Sequence, residues 1–366
     1  MARKLLITVY EMNSGKQSWI APPDFPSDND HDNEAAMNVD HTRSKALGWL
    51  GILAAAGWLA SGQAQAGAYG LAVNELNNFR ITTSAGTLSL TGANRNASDS
   101  AFFEGGVAVN PRAVNTGPAA DADVLQVCSG SGCAGLPQNH YGPTPSSVLE
   151  FARGDAHSFG NLLTSTGATV QSVSEARRDT VGAATATAGD TLTGSINLTL
   201  SSAGFITFSF MGRRDLRTSV TTMGDKSNVS IMDIFNISCN AASPAGCLSH
   251  ANADGVIFQF APDGDPNNGS DINGNHAVGS LDPFSLNMTT GTNDPATSRA
   301  FTNGFAMFSL TSNFALPAGS YTLNFSKSTR TDIVVMDPPA VPVPATLLLL
   351  GTGLAALAFT RRRLPQ

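Results

Sequence analysis

Phe205-Ile206-Thr207-Phe208-Ser209-Phe210 alternates apolar with polar side chains, and this alternation decides the fold class. Successive side chains of a strand point to opposite faces, so a period of two describes a strand with one face buried. The same pattern returns in Phe79-Arg80-Ile81-Thr82, Thr87-Leu88-Ser89-Leu90-Thr91 and Ser195-Ile196-Asn197-Leu198-Thr199-Leu200. It recurs in Val229-Ser230-Ile231, Val256-Ile257-Phe258-Gln259-Phe260, Phe305 to Leu310 and Tyr321-Thr322-Leu323-Asn324-Phe325. Gly, Asn, Asp and Pro turn residues separate these runs. Pro317-Ala318-Gly319 predicts a tight connection into a last strand that carries Tyr321, Leu323 and Phe325 inward. Many short strands of this kind predict an all-β, antiparallel β-sandwich of jelly-roll-like form, with an up-and-down barrel as the alternative closure. Two stretches, Pro145 to Arg153 and Val173 to Arg178, carry helix-tolerant residues behind serines suited to capping, and predict short helices. The Ala-, Gly-, Asn- and Pro-rich chain from Gly92 to Pro143 predicts long loops with an occasional strand.

Both ends of the chain read as addresses. Arg43 and Lys45 precede an apolar run from Ala46 to Ala60, and Ala64-Gln65-Ala66 sets small residues at the cleavage-determining positions of a secretory signal peptide. The expected organisation is an extension at residues 1–36, with Met37 as the start, then a signal peptide at residues 37–66. An exported β-sandwich at residues 67–337 follows, with a Pro-rich linker and sorting segment at residues 338–366. In that segment Val341-Pro342-Val343-Pro344 precedes the uncharged run Leu347 to Phe359, and Arg361-Arg362-Arg363 follows. With Ala345 and Thr346 the apolar stretch is about 15 residues, short of the roughly 20 that span a hydrocarbon core. Three arginines keep its end on the cytoplasmic side. The two prolines hold the preceding segment extended and open to a protease. A plain C-terminal anchor is the simpler reading of the helix and charges alone.

Motif, hydrophobic helix and basic cluster, in that order, resemble the PEP-CTERM sorting signal of exported bacterial proteins. Val343 stands where that family commonly has Glu. The resemblance implies the membrane protease exosortase as a partner, transient residence in the inner membrane and final placement at the cell surface or outside the cell.

Between Gly67 and Val341 the chain has 13 Lys and Arg against 21 Asp and Glu, and its lysines are Lys226 and Lys327. An acidic surface of this kind repels phosphate backbones and excludes nucleic acid as a partner class. The cysteines form two close pairs, Cys128 with Cys133 and Cys239 with Cys247. Export favours a disulfide in each small loop over zinc, since neither pair has a second pair or a finger-spaced His nearby. There is no nucleophile elbow, zinc-protease motif, phosphate loop or dinucleotide fingerprint. The histidines His140, His157, His250 and His276 sit in polar surroundings, and the glutamates Glu75, Glu104, Glu150 and Glu175 show no glycosidase-like spacing. The expected protein is not an enzyme.

Asp263, Asp265, Asn267 and Asp271 fall at the first, third, fifth and ninth positions of a calcium-loop spacing. Asn268 and Gly274 replace the Gly and the bidentate Glu that such a loop uses, so a solvated turn competes with calcium as the reading of this run. Seven Asn-x-Ser/Thr sequons, from Asn96 to Asn324, follow from composition in a chain this rich in Asn, Ser and Thr. The expected function is a structural or adhesive protein of the envelope or matrix, associated with an exopolysaccharide. A carbohydrate-binding β-sandwich is the alternative, although the exported region has no Trp and only Tyr69, Tyr141 and Tyr321 to build an aromatic platform.

Overall fold

The computed structural model describes residues 67–91, 94–107, 109–116, 121–265, 270–275 and 281–337, with residues 94 and 188–196 described by their backbone alone. The expected signal segment with Ala64 and Ala66, and the expected sorting segment with Val341, Pro342, Val343, Pro344, Arg361, Arg362 and Arg363, lie outside the described residues. Fifteen strands form two antiparallel sheets. In chain order they are β1 (Ala68–Thr83), β2 (Leu88–Thr91), β3 (Asn94–Phe103), β4 (Arg112–Thr116) and β5 (Ala122–Ser129). Then come β6 (Phe151–Gly160), β7 (Ala168–Arg178), β8 (Gly182–Leu200), β9 (Ile206–Val220) and β10 (Lys226–Ser238). The chain finishes with β11 (Val256–Phe260), β12 (Gly274–Asn275), β13 (Met288–Thr292), β14 (Arg299–Ser312) and β15 (Gly319–Val335).

The first sheet runs β12-β14-β9-β1-β7-β6-β5, and the second β11-β10-β15-β8-β3-β4, with β13 paired to β10 and β2 to β8. Both sheets have edges, so the strands form no single closed ring among the described residues. With seven and eight strands, the sheets exceed the eight strands of a simple jelly roll. The first and last strands of the described chain, β1 and β15, are interior in their sheets.

A phenylalanine cluster holds the two sheets together. Phe79, Phe208 and Phe210 from the first sheet meet Phe235, Phe258, Phe260 and Phe325 from the second, and all are buried. Phe235 is the hub, its ring centroid 4.5 Å from Phe79, 5.0 Å from Phe325 and 5.4 Å from Phe210. A bulge in β1 makes this possible. Ala72 and Leu76 face the core from even positions, and the register then shifts at Asn78, which has φ 57°. The extra residue switches the inward face to odd positions and delivers Phe79 and Ile81 to the same core.

The opposite end of the sandwich is rich in small side chains: Ala101, Ala152, Ala176, Ala184 and Ala186 pack with Phe103, Ile333 and Val335 in one cluster, and Ala97, Ala122 and Ala156 lie in another. There the sheets lie close. A Cβ on Gly70 of β1 would fall 2.6 Å from Thr331 Cγ2, and one on Gly154 of β6 would overlap the Thr187 carbonyl of β8.

Two sequence expectations are corrected. Pro145 to Arg153 forms no helix: residues 145–150 are loop, and Phe151 to Arg153 open β6. Val173 to Arg178 is the second half of β7. Helical structure among the described residues is confined to 3-10 turns at Ser131–Cys133, Cys247–Ser249 and Pro295–Thr297. Tertiary pairing overrides local propensity because both faces of β6 and β7 are covered, which erases the polar side of the alternation. The stretch from Gly92 to Pro143, expected as long loops with an occasional strand, carries three strands, β3, β4 and β5. The turn at Pro317 to Gly319 does lead into β15 with Tyr321, Leu323 and Phe325 buried.

Phe235→Ala should cost about 3–5 kcal/mol in chemical denaturation, because the emptied hub cannot collapse between two sheets. Phe102→Ala, at a side chain 57% exposed, should change stability by no more than about 0.5 kcal/mol.

Candidate functional site

Three places bring polar or charged side chains together. The first is the acidic loop after β11. Asp263 Oδ1 accepts from the Asp265 amide at 3.0 Å, and Oδ2 from the Ser270 amide at 2.8 Å. Asp271 Oδ1 accepts from the Ala261 amide at 2.7 Å. Asn267 lies outside the described residues. The structure adds a carboxylate with no signal in the local sequence: Asp282, whose Oδ2 accepts from the amides of Asp263 and Gly264, both at 2.9 Å. Its Oδ1 is buried and takes no hydrogen bond among the described residues. Burial pushes the Asp271 carboxyl up to about 7 and the Asp282 carboxyl up to about 6. The mutual repulsion of Asp263, Asp271 and Asp282 adds to it, and the backbone amides oppose it. The carboxylates of this run thus fold a turn by accepting from the backbone. Among the described residues no group of three or more His, Cys, Asp and Glu side chains is placed to hold a metal ion.

The second is a buried charge network on the outer face of the first sheet. Residues 134–150 cross that face as a loop, and Arg153 of β6 ties it down by donating to the carbonyls of His140 at 3.0 Å and Gly142 at 2.7 Å. The same guanidinium pairs with Glu175 of β7 at 2.8 Å, both side chains being fully buried. Glu175 also accepts from the Thr144 amide and hydroxyl and from Tyr69 Oη. Beside it, Arg213 makes a bidentate pair with Glu75 and donates to the Tyr141 carbonyl at 3.0 Å. Tyr69 and Tyr141 are held here, with their hydroxyl pKa values raised by burial first and neighbouring carboxylates second. Asp155, under the same loop, accepts from the Asn139 amide and is pushed up to about 7 by burial.

The third is a groove of about 620 Å³ on the outer face of the second sheet, lined by Met232, Gln259, Ser270, Asn287, Ser328 and Arg330 among others, with no aromatic ring. Of the described tyrosines, Tyr141 and Tyr321 are buried and Tyr69 is half-buried.

All four glutamates among the described residues serve as structural acceptors. Glu75 and Glu175 pair with arginines, Glu104 accepts from the Ala183 amide, and Glu150 accepts from the amides of Asp179 and Thr180. His157 packs against Phe159, His250 stacks on Phe314, and His276 lies outside the described residues. The cysteines are bonded Cys128 to Cys133 and Cys239 to Cys247, and Cys247 packs into the phenylalanine core. Among the described residues no helix is long and apolar enough to cross a membrane, which leaves strand-built spans aside.

Two measurements check the electrostatics. Arg153→Met should cost about 3–5 kcal/mol, because it leaves the Glu175 charge buried and unpaired. The added change Glu175→Gln should recover part of that loss in the same denaturation assay. The pH dependence has a definite sign. Asp99, pushed up to about 9 by burial and by Asp155, joins Asp155, Asp271 and Asp282 in holding protons in the folded state that the unfolded chain releases near pH 4. Their contribution is full below pH 4 and is lost as pH rises through about 6 to 9, so the melting temperature should fall between pH 5 and pH 8. Asp282→Asn, which keeps the acceptor for the two amides, should flatten that fall.

Neither a curated protein nor a solved structure matches the chain. A family model, described as the PEP-CTERM protein-sorting motif, matches residues 340–363, directly beyond the last described strand. A signal of this kind implies export, membrane-associated sorting and processing by exosortase. The chain therefore carries, at its C-terminal end, the PEP-CTERM protein-sorting motif.

Proposed function

We propose that this is an exosortase-processed structural or adhesive protein of the cell surface or extracellular matrix, with no catalytic activity of its own. The sorting motif at residues 340–363 carries the reading. Three features of the β-domain support it. Its two disulfides suit an oxidising compartment outside the cytosol. Its glutamates are engaged in holding strands and loops together. Its long strands leave both terminal strands paired on each side, as suits a module whose task is to persist.

A second reading, carbohydrate binding, rests on the groove across β10, β15 and β11, where Gln259 and Arg330 offer hydrogen-bonding groups to a polyhydroxyl chain. It has no ring for a sugar to stack on. Screening the protein against an array of polysaccharides separates the two: binding lost in Arg330→Ala supports the carbohydrate reading, and no binding supports the structural one.

Sorting has its own test. In cells lacking exosortase the chain should remain in the inner-membrane fraction with residues 347–363 attached. Normal release from such cells overturns the sorting part of the proposal.

A further inference from the structure

Three side chains of three strands meet between the sheets. Asn74 of β1 follows the inward positions of Ala72 and Leu76. Asp233 of β10 lies between the core residues Ile231 and Phe235, and Lys327 of β15 follows Leu323 and Phe325. All three are completely buried. Asp233 stands between the other two: its Oδ2 accepts from Asn74 Nδ2 at 2.9 Å, and its Oδ1 is 3.7 Å from Lys327 Nζ. Asn74 Oδ1 takes no hydrogen bond among the described residues. In strand register Lys327 lies opposite Asp233 on one side and Asp190 of β8 on the other.

A buried lysine–aspartate pair is an expensive way to brace two neighbouring strands of one sheet, since desolvation of the charges consumes most of their attraction. Here the pair has an electrophile beside it. A carboxamide, an amine and a carboxyl group held away from water are the components of an amide-exchange reaction, and burial raises the effective concentration of the reacting groups.

We propose that Lys327 and Asn74 join in an intramolecular isopeptide bond, formed by the folded protein itself, with Asp233 shuttling the proton. The ammonium of Lys327 passes a proton to the Asp233 carboxylate, leaving a neutral amine and a neutral acid. Nζ attacks Cγ of Asn74 and opens its carbonyl. The Cγ–Nδ2 bond then breaks as Asp233 delivers a proton to Nδ2, the atom it already touches. The attacking nitrogen gives up its second proton to the carboxylate so formed. Amine and primary amide become secondary amide and ammonia, and no oxidant, reductant or energy donor is needed. Two features suit Asp233 to this work. It contacts attacking amine and leaving nitrogen through different oxygens. Burial also pushes its carboxyl upward, against the opposing pull of Lys327 and Asn74, which favours the acid form that the step requires.

The bond would link the first strand of one sheet to the last strand of the other. It would enclose nearly all of the described chain between residues 74 and 327.

Peptide mapping of the purified full chain tests this directly. The expected result is a branched peptide joining the segments that contain Asn74 and Lys327, lighter than their sum by one ammonia, accounting for most of the Lys327-containing material. Asp233→Asn should retain the fold by circular dichroism and yield the two peptides unlinked. Full coverage of both segments as separate, unmodified peptides from the wild-type chain overturns the proposal. So does a link from Lys327 to Asp233 or Asp190 with loss of water. Undiminished linkage in Asp233→Asn overturns the assigned role of the carboxyl group.

Discussion

The sheet-to-sheet seam along β1 and β15 constrains the whole molecule. Asn74, Asp233 and Lys327 meet there with no solvent, so each strand has one permitted register: a slip by one residue would turn the buried polar side chain out and break its contact with the other strands. Buried polar groups of this kind specify more than they stabilise. On one side of the seam the phenylalanine cluster fills a wide space. On the other, Gly70, Gly154 and a series of alanines let the backbones approach. A sandwich with such unequal ends tolerates little rearrangement, since neither filling suits the other's gap.

The outer faces are organised differently. The first sheet is covered by residues 134–150, held through Arg153, Arg213, Glu75 and Glu175, and the Cys128–Cys133 bond closes the turn that feeds this loop. The second sheet leaves its groove open beside Arg330. Charge pairing therefore closes the first sheet over β6, β7 and β1, while Phe305 and Met307 of β14 stay exposed and the groove of the second sheet stays open.

How much of this is legible in the sequence depends on whether a strand has a wet face. Ile206 to Phe210 and Tyr321 to Phe325 alternate clearly because their outward residues are polar and half-exposed. β6 and β7 do not, because Arg153 and Glu175 are as deeply buried as Ala152 and Ala176 on the reverse side. β3 is hidden for a related reason: its inward positions are Arg95, Ala97, Asp99 and Ala101, polar or small where a core is expected to be large and apolar. The cysteine pairs are visible because each loop is short. The acidic run is visible as a cluster, yet Asp282 joins it only through the fold. The sorting motif is the most legible element because it is a linear signal, recognised before folding matters. The meeting of Asn74, Asp233 and Lys327 has no sequence signature, since they are scattered over most of the chain.

The interior placement of β1 and β15 gives the molecule a mechanical character. Tension applied at the C-terminal tail enters β15, which is flanked along its length by β10 and β8 and antiparallel to both. A pull directed along β15 loads two ladders in shear, where many hydrogen bonds must yield together, instead of unzipping an edge strand one bond at a time. Beside it, at the same end of the sandwich, the start of β1 is gripped in the same way by β7 and β9. A chain tethered at one terminus and hauled at the other would therefore be loaded at that one end, across the seam between the sheets and not along the strands.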